Sequence, residues 1–388
     1  MVSKRNSLDR YARERLSSIR RQALYRQLQT VIVGGATCRV NGREAIHLCS
    51  NDYLGLSKNI RIAKKTIESM EEISQCSSRL IAGNHPRLIE LEDMLADHRR
   101  AEAALVYPSG YSANIGVVTS IAGRGSTIFS DELNHASIID ACRLSGAKIK
   151  VFKHNDTAHL EELMRGTQER KIVITEGIFS MDGDTSSLKA ICSIARDHDA
   201  VSIVDDAHGD FIFGPRFSGV PSMLRSHVDA HVSSLSKGLG CFGGYVAASS
   251  KVRELLVNTS RQFIYTSALP AHLCVAAITA IPLAKKGDLQ KKLQKNIIHL
   301  REGLKRLGFL LGNSSSQIIP VIIGREKLAV EISKELLIEG VFVQAVRFPT
   351  VARGQSRLRV SLTALHTSSH LDAALEAFER VGKRAKII

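Results

Sequence analysis

An α/β fold built on a mainly parallel sheet is predicted by two features of this 388-residue chain. From about residue 100, short runs of β-branched and other apolar residues alternate with stretches whose apolar residues recur at helical spacing. Polar clusters follow those runs directly, at the carboxyl ends of the expected strands, where open α/β sheets bind ligands. We therefore expect a large α/β domain, a smaller α+β C-terminal domain and an N-terminal helix.

The N-terminal segment predicts an amphipathic helix. Its apolar residues fall at helical spacing, namely Leu8, Tyr11, Leu16, Ile19 and Ala23. The segment is basic and lacks the apolar stretch of a secretory signal. The longest uncharged apolar stretch of the chain, LCVAAITAIPLA, is too short to span a bilayer, so no membrane partner is expected. We expect residues 1–45 to form an arm and a helix whose apolar side packs on another surface.

The alternating pattern lies within residues 46–285, which we expect to form the large domain. The strand-like runs are AALVY, STIFSD, KIKVF, KIVITE, VSIVDD and HVSSLS. Strands that alternate with helices favour parallel pairing, with helices on both faces of the sheet. Beyond residue 285, a long helical stretch precedes IIPVIIG, VFVQAV, RLRVSL and a last helix. This second pattern predicts the smaller domain, over residues 286–388.

The net charge and the cysteine content limit which partners, bound groups and cellular compartment are expected. Lys and Arg number 53 against 38 Asp and Glu, which gives a net charge of +15. This surplus suits a phosphorylated cofactor, a coenzyme A thioester or an acidic carrier protein, although a generally basic surface gives the same count. The basic residues are spread along the chain without interleaved aromatics, which argues against nucleic acid. Seven scattered cysteines without a C-x-x-C pair argue against disulfides and a metal site, and favour the cytoplasm.

Lys237 lies among small residues in the run SSLSKGLG. An amine in such a pocket can lose its charge and attack a carbonyl. The matching cofactor is pyridoxal 5′-phosphate, whose aldehyde bonds to a lysine and whose ring nitrogen pairs with a carboxylate. Asp205 ends an apolar run and supplies that carboxylate, and His208 stands three residues on, where it can bond the cofactor's phenolic oxygen. The alternatives are a helix cap at Asp205 or Asp206 and a structural histidine.

Polar residues at the other strand ends fit the same cofactor. Ser109, Gly110 and Tyr111 stand between a strand and a helix start, where free N–H groups favour a phosphate, although an ordinary helix cap would look the same. The remaining candidates are His135, which would stack on the cofactor ring, Glu176, Ser180, and the hydroxyls of Ser234, Thr266 and Ser267. The whole set predicts a pyridoxal-phosphate site more strongly than any member does.

Nine motifs, in order, resemble the α-oxoamine synthase family of fold-type I pyridoxal-phosphate enzymes. They are CSNDYLGLS, SSRLIAGNHP, SGYSAN, DELNHASIIDACRLS, TEGIFSMDGD, VDDAHG, LSKGLG, RFPTV and RLRVSLTALHT, and the match runs from about residue 20 to the end. The resemblance implies a fold-type I transferase and a homodimer with a shared active site. It also implies that Lys237 carries the cofactor and moves the substrate α-proton. Thr266 or Ser267 would reach the phosphate in the neighbouring subunit.

Within the family, NDYLGL and SRLIAGNHP are most similar to the biotin-pathway branch. That resemblance implies a decarboxylative condensation of L-alanine with a pimeloyl thioester, carried on coenzyme A or on acyl carrier protein. Arg359, helped by Asn51, would clamp the amino-acid carboxylate, because an arginine fork suits a carboxylate. Arg26, on the N-terminal helix, and Thr350 would contact the acyl substrate. Relatives that use glycine or another acyl-CoA share the chemistry and remain an alternative; a basic nucleic-acid-binding protein is the alternative from another class.

Three stretches depart from the family pattern. They are SQCSSR (Ser74 to Arg79) in place of a glycine-rich run, Gly209, Asp210 and Phe211 in place of a small GTG, and Leu88 where relatives often carry a histidine. The departures do not involve the cofactor lysine, its aspartate or the ring-stacking histidine. We therefore expect the reaction type to hold, while the departures leave the identity of the acyl substrate open.

Overall fold

The computed structural model describes residues 7–22 and 24–388. Its helices are α1 (Ser7–Arg21), α2 (Ile60–Glu68), α3 (Pro86–Arg99), α4 (Gly110–Ile121), α5 (Ala136–Ser145), α6 (Thr157–Met164), α7 (Leu188–Asp197), α8 (Gly219–Met223), α9 (Ser250–Thr259), α10 (Arg261–Ile264), α11 (Ala271–Ala284), α12 (Asp288–Arg306), α13 (Glu326–Ile338) and α14 (Ser368–Arg384). Its strands are β1 (Val31–Val33), β2 (Thr37–Val40), β3 (Arg43–His47), β4 (Ala103–Tyr107), β5 (Ser126–Asp131), β6 (Lys148–Phe152), β7 (Arg170–Glu176), β8 (Ala200–Asp205), β9 (Ala230–Ser234), β10 (Gly244–Ala248), β11 (Ile318–Gly324), β12 (Val341–Phe342), β13 (Gln344–Val346) and β14 (Ser356–Ser361).

The central sheet has seven strands in the order β4-β10-β9-β8-β7-β5-β6. From β9 to β6 the neighbours pair in parallel, while β10 runs antiparallel to both β4 and β9. The prediction of a mainly parallel sheet is therefore confirmed. The sequence analysis missed β10, because its run GYVAA follows a glycine-rich loop and no helix separates it from β9.

Helices cover both faces of the central sheet. One face packs against α4, α5, α9 and α10, and the other against α3, α6, α7 and α11. Adjacent residues of one strand therefore enter different cores, as Ile172 and Val173 of β7 do, and both are buried. Burial on both faces explains why these strands read as continuous apolar runs. Among the described residues, no helix combines the length and apolar character needed to cross a bilayer.

Two smaller sheets flank the central one. The sheet β11-β14-β13 is antiparallel and packs with α13, while α12 packs on α14. In the other sheet, β1-β2-β3-β12, Val341 of β12 lies opposite Ile46 of β3, so the N-terminal arm and the C-terminal part share a sheet. The domain boundaries proposed at residues 45 and 285 remain predictions.

The N-terminal helix forms over Ser7–Arg21, but Arg26 does not stand on it. This corrects the prediction for Arg26, which lies exposed in the extended segment after the helix. The chain turns away where Leu24 N donates to Ile19 O at 3.0 Å, and the run TVIV that follows favours an extended strand. No residue of α1 is buried, so the packing expected of this helix is not seen among the residues that the structure describes. Ala23, the last residue of the predicted apolar stripe, lies outside the described residues.

Substitution of Leu304 tests the packing of α12 against the C-terminal core. It is fully buried in the same cluster as Leu371 and Phe378 of α14. Leu304→Ala should lower the free energy of unfolding by about 2–5 kcal/mol, because it removes buried methyl groups and leaves a cavity. Ile298→Ala is the matched control, since Ile298 lies on the same helix and is 52% exposed. Urea denaturation at equal protein concentration measures the free energy of unfolding of both variants. An equal loss of that free energy in the two variants would contradict the assigned packing.

Candidate active site

The carboxyl ends of five strands of the central sheet carry polar side chains. Glu176 ends β7 and Asp205 ends β8, and the two residues are direct neighbours in the parallel register. His135 follows β5 and caps α5, Ser109 follows β4 and caps α4, and Lys237 follows β9. The predicted residues at these ends therefore face one edge of the sheet. This is the edge at which α/β folds bind ligands.

The Lys237 amine lies among acids and an imidazole. Its Nζ is 3.1 Å from His208 Nε2. Burial lowers the pKa of Lys237, while the charges of Asp205 and Glu176 act in the opposite direction. Burial, followed by the charge of Asp205, raises the pKa of Glu176 well above its ordinary value. Both shifts favour uncharged forms, so this edge holds a lysine that can act as a neutral amine.

A hydrogen-bond network fixes the Asp205 carboxylate. Its Oδ2 accepts from Asn114 Nδ2 at 2.6 Å, and its Oδ1 accepts from the backbone N–H of Ala207 at 3.0 Å. Asn114 also donates to Ser137 Oγ at 2.9 Å, and that hydroxyl lies 2.8 Å from His135 Nδ1. The chain after β8 continues as turns, so Asp205 closes a turn instead of capping a helix. The helix-cap alternative for Asp205 is therefore wrong.

His208 is buried between Lys237 and Tyr53. The Tyr53 hydroxyl is 2.6 Å from His208 Nδ1 and donates to Asn51 Oδ1 at 3.1 Å. Gln317 Nε2 holds the backbone of the histidine by donating to its carbonyl at 2.8 Å. Burial and the charge of Lys237 hold the pKa of His208 well below its ordinary value. The imidazole is therefore neutral, with Nε2 directed at the lysine.

Small residues bring the start of α4 against the end of β9 and the start of β10. A Cβ added to Gly110 would lie 3.3 Å from Ser234 Cβ, and one added to Gly244 would lie 2.3 Å from the Gly110 nitrogen. The Ser109 side chain accepts from Ser112 N at 3.1 Å, which leaves other N–H groups of the first turn free for an anion. Tyr111 is 43% exposed and donates its hydroxyl hydrogen to the Asp140 carboxylate. The start of α4 suits a phosphate group.

Thr266 and Ser267 lie apart from the lysine in this chain. Ser267 pairs with Ser78, and Ala268 N donates to Ser77 O at 2.9 Å. Thr266 lines a narrow crevice with Pro108, next to the α4 cap. Their expected contact with a cofactor phosphate in a neighbouring subunit remains a prediction.

Arg359 is held in a fixed orientation beside Ser180. Its Nε donates to the Ser180 carbonyl at 2.6 Å, and its Nη1 donates to Ser361 Oγ at 2.7 Å. Both Nη atoms lie 3.3 Å from Asn51 Oδ1. Asn51 also accepts from Tyr53, which contacts His208, so the arginine is linked to the lysine site through two side chains. An arginine restrained in this way is prepared to bind a carboxylate bidentately.

Arg26 and Thr350 line one cavity of about 520 Å³. Met181, which follows Ser180 in the chain, lines the same cavity, together with Lys334 and Arg347. Arg347 Nη2 donates to the Tyr25 carbonyl at 2.7 Å and so fastens the segment that carries Arg26. The cavity is positively charged and adjoins the loop that contacts Arg359. The structure thus places Arg26 and Thr350 at one cavity, and their contact with an acyl substrate remains a prediction.

Sequence reasoning missed three residues that position the site: Tyr53, Asn114 and Gln317. Tyr53 and Asn114 stand inside the motifs NDYLGL and SGYSAN, but only the folded chain shows that they contact His208 and Asp205. Gln317 stands in no recognised motif, and its bond to His208 spans 109 positions. What marks these three residues is that each buries a polar side chain, and the sequence alone does not show which polar side chains are buried.

The departure at Asp210 and Phe211 forms part of a buried ionic cluster. Asp210 contacts His98 Nε2 at 2.9 Å, Arg99 Nη2 at 3.1 Å and the hydroxyl of Ser233 at 2.8 Å. Although burial opposes ionisation, Arg99 and His98 hold the pKa of Asp210 well below its ordinary value. Phe211 stacks on the His98 ring at 3.9 Å. The larger residues at this departure are therefore accommodated by partners on α3.

The other two departures lie away from the lysine. Leu88 is buried in the core between α3 and its neighbours. In the stretch from Ser74 to Arg79, Cys76 adopts a left-handed backbone with φ of 50°, and Ser77 and Ser78 pair with the chain around Ser267. Neither departure removes a group from the set around the lysine.

Comparisons with known proteins agree with this geometry. Residues 43–378 match the family "Aminotransferase class I and II". The chain is 41% identical to an 8-amino-7-oxononanoate synthase of Thermoanaerobacter pseudethanolicus, over 97% of this chain and 98% of that protein. It is 40% identical to an 8-amino-7-oxononanoate synthase of Geobacter sulfurreducens, over 96% of this chain and 98% of that protein. The chain belongs to the aminotransferase class I and II family, in its α-oxoamine synthase branch.

Solved structures place this α-oxoamine synthase in the fold-type I class. A serine palmitoyltransferase of Sphingomonas wittichii superposes with a TM-score of 0.92 at 29% identity, over 100% of both chains. A structure of SPT with PLP gives a TM-score of 0.93 at 28% identity, covering 99% of this chain and 100% of that one. An 8-amino-7-oxononanoate synthase of Francisella tularensis gives a TM-score of 0.77 at 25% identity, over 89% of this chain and 99% of that chain. The α-oxoamine synthase uses pyridoxal phosphate, and its amine, carboxylate and helix start suit that cofactor.

Tyr53→Phe tests whether His208 is held for the cofactor. The change removes the hydroxyl that contacts His208 Nδ1 and leaves a buried ring nitrogen without its partner, at a cost of about 1 kcal/mol. The dissociation constant for pyridoxal phosphate should rise about fivefold. Tyr107→Phe is the control, because Tyr107 is equally buried and bonds Ser260, away from the lysine. Equal cofactor affinity in both variants would contradict the positioning of His208.

Proposed function

We propose that this enzyme joins L-alanine to a pimeloyl thioester and yields 8-amino-7-oxononanoate, carbon dioxide and the free thiol. The observation that carries the proposal is the Lys237 amine, desolvated beside Asp205 and His208 at the sheet edge. Curated relatives named 8-amino-7-oxononanoate synthase, at about 40% identity over nearly the whole chain, support the choice of reaction. In this reaction a carbon–carbon bond forms between the alanine α-carbon and the thioester carbonyl, and the alanine carboxylate leaves as carbon dioxide.

Pyridoxal phosphate, when bound, supplies an acceptor for the electron pair left at the substrate α-carbon. Lys237 would bond the cofactor aldehyde and, once freed, accept the α-proton at Nζ. Asp205 would pair with the ring nitrogen, His208 would bond the phenolic oxygen, and His135 would stack on the ring. Ser109, Gly110, Tyr111 and Ser234 would hold the phosphate side, with Glu176 and Ser180 lining the pocket.

Arg359 and Asn51 would hold the alanine carboxylate. The guanidinium is already oriented by Ser180, Ser361 and Asn51, so little side-chain entropy is lost on binding. Arg26 and Thr350 would contact the acyl substrate, because they line a basic cavity beside the arginine's loop. The acyl donor would be either pimeloyl-CoA or pimeloyl-acyl carrier protein, since both present phosphates to a chain with a net charge of +15.

The active enzyme would be a cytoplasmic homodimer with a shared site. Seven cysteines without disulfide partners suit a reducing compartment. Thr266 and Ser267 contact no group of the lysine set within the described chain, which is consistent with a role toward a neighbouring subunit. The exposed apolar residues Tyr11 and Leu16 of α1 are further candidates for subunit contact.

A second candidate keeps the cofactor chemistry but changes the amino acid. The serine palmitoyltransferase structures superpose better than the 8-amino-7-oxononanoate synthase structure, with TM-scores of 0.92 and 0.77. A related α-oxoamine synthase that uses serine or glycine is therefore the alternative.

An amino-donor assay separates the two candidates. With pimeloyl-CoA as acyl donor, kcat/KM for L-alanine should exceed that for glycine and L-serine at least about tenfold, because a methyl-sized pocket discriminates by roughly 1–3 kcal/mol. Release of thiol and of carbon dioxide measures turnover. Lys237→Ala is the control and should abolish turnover with every donor. A preference for glycine or L-serine would overturn the choice of substrate, and turnover by the lysine variant would overturn the mechanism. Replacing coenzyme A by acyl carrier protein then identifies the carrier.

A further inference from the structure

The loop of residues 177–187 leaves the carboxyl end of β7 and reaches the C-terminal part of the chain. We name it the β7 loop. It closes on itself through Gly183 N donating to Phe179 O at 2.8 Å and Ser186 N donating to Gly177 O at 3.1 Å. Its tip, residues 180–183, therefore projects as a folded unit and not as a loose connection.

The tip of the β7 loop is fastened to the C-terminal part. Ser180 O accepts from Arg359 Nε at 2.6 Å, and the Asp182 carboxylate pairs with Arg357 on the same strand. Gly183 O accepts from Ser315 N at 3.1 Å, and a Cβ on Gly183 would lie 2.2 Å from Ile318 O. The tip is therefore one of the groups that orient the Arg359 guanidinium, together with Ser361 and Asn51.

The base of the β7 loop is held by the turn after β6. His154 Nε2 lies 2.8 Å from Asp184 Oδ2, and His154 Nδ1 lies 3.0 Å from Asp131 Oδ1 at the end of β5. The His154 and Phe179 rings are also nearly perpendicular, with their centroids 4.4 Å apart. Asn155 also holds the base of the loop, because its Oδ1 accepts a hydrogen bond from Ser187 N at 2.8 Å. One imidazole thus bridges the central sheet and the β7 loop.

The bridge depends on an imidazole that donates from both nitrogens. Burial alone would lower the pKa of His154, but the hydrogen bonds that its ring donates to Asp131 and Asp184 raise that pKa to about 10. The ring is therefore protonated at neutral pH. A neutral histidine has one N–H and could donate to only one of the two carboxylates, and a glutamine carries both of its N–H donors on a single nitrogen, whereas the imidazolium donates from two separate nitrogens.

We propose that His154 is a positioning residue for binding of the amino-acid carboxylate, acting through the β7 loop on Arg359. The chain of contacts is continuous: His154 holds Asp184, the closed loop presents the Ser180 carbonyl, and that carbonyl orients the guanidinium. The inference rests on the proposed role of Arg359. It assigns no contact between His154 and substrate.

Equilibrium binding of L-alanine to the holoenzyme tests the proposal without turnover. In His154→Gln, the dissociation constant for L-alanine, read from the cofactor absorbance, should rise about tenfold, the loss expected for a displaced charged hydrogen bond. Backbone hydrogen exchange at Gly183 and Ser186 should become faster in the same variant. The dissociation constants for the acyl thioester and for the cofactor should rise less than that for L-alanine, because the β7 loop contributes Met181 to the acyl cavity and Ser180 to the cofactor pocket while the other lining residues lie on other elements.

His159→Gln is the matched control. His159 occupies the helix after the same turn, where its ring accepts from Lys153 N at 3.1 Å. This variant should leave L-alanine binding and loop exchange unchanged. Asp184→Asn keeps the size of the side chain and serves if His154→Gln does not fold; it should raise the L-alanine dissociation constant about threefold.

The outcomes separate this inference from the proposed function. If wild type binds L-alanine and Arg359→Lys weakens that binding, unchanged binding in His154→Gln or Asp184→Asn overturns the positioning role alone. An equal loss of alanine, thioester and cofactor binding also overturns it, because that pattern indicates general damage. If wild-type holoenzyme does not respond to L-alanine, the proposed function fails and the positioning role fails with it.

Discussion

The placement of one amine against two acids and a neutral imidazole is the constraint on which this structure depends. Burying a charged group is costly unless it is paired, and at this edge Lys237 meets Asp205, Glu176 and His208 in a desolvated space. The parallel register of β7 and β8 puts Glu176 beside Asp205. The sheet topology therefore assembles the site before any ligand binds.

Buried polar contacts away from the sheet edge keep this arrangement rigid. Asn114 holds Asp205, and Tyr53 and Gln317 hold His208. Behind them, Arg99 pairs with both Asp206 and Asp210. The Asp210 backbone packs against Gly238, next to the lysine, since a Cβ on Gly238 would lie 2.6 Å from Asp210 O. The backbone at this position therefore lies against the loop that carries the lysine.

Most of the sheet was predictable because its signal is local. The strands from β4 to β9 are separated by helical stretches and each is followed by polar residues, and all but the edge strand β6 are mostly buried. The features that were not predicted depend on contacts between residues far apart in the chain. β10 pairs antiparallel between strands far apart in the chain, Arg26 leaves its helix because a strand begins soon after it, and Gln317 reaches His208 across 109 positions. The roles proposed for Thr266 and Ser267 would depend on a second subunit, which one sequence does not describe.

Reduction of the holoenzyme with borohydride, followed by peptide mass spectrometry, tests the central claim most directly. Reduction makes permanent any bond between a lysine nitrogen and the aldehyde carbon of pyridoxal phosphate. The account predicts the phosphopyridoxyl mass on the peptide that contains Lys237, and its absence from peptides that contain exposed lysines such as Lys251. A label on any other lysine, or a holoenzyme that releases all of its cofactor unmodified, would contradict it.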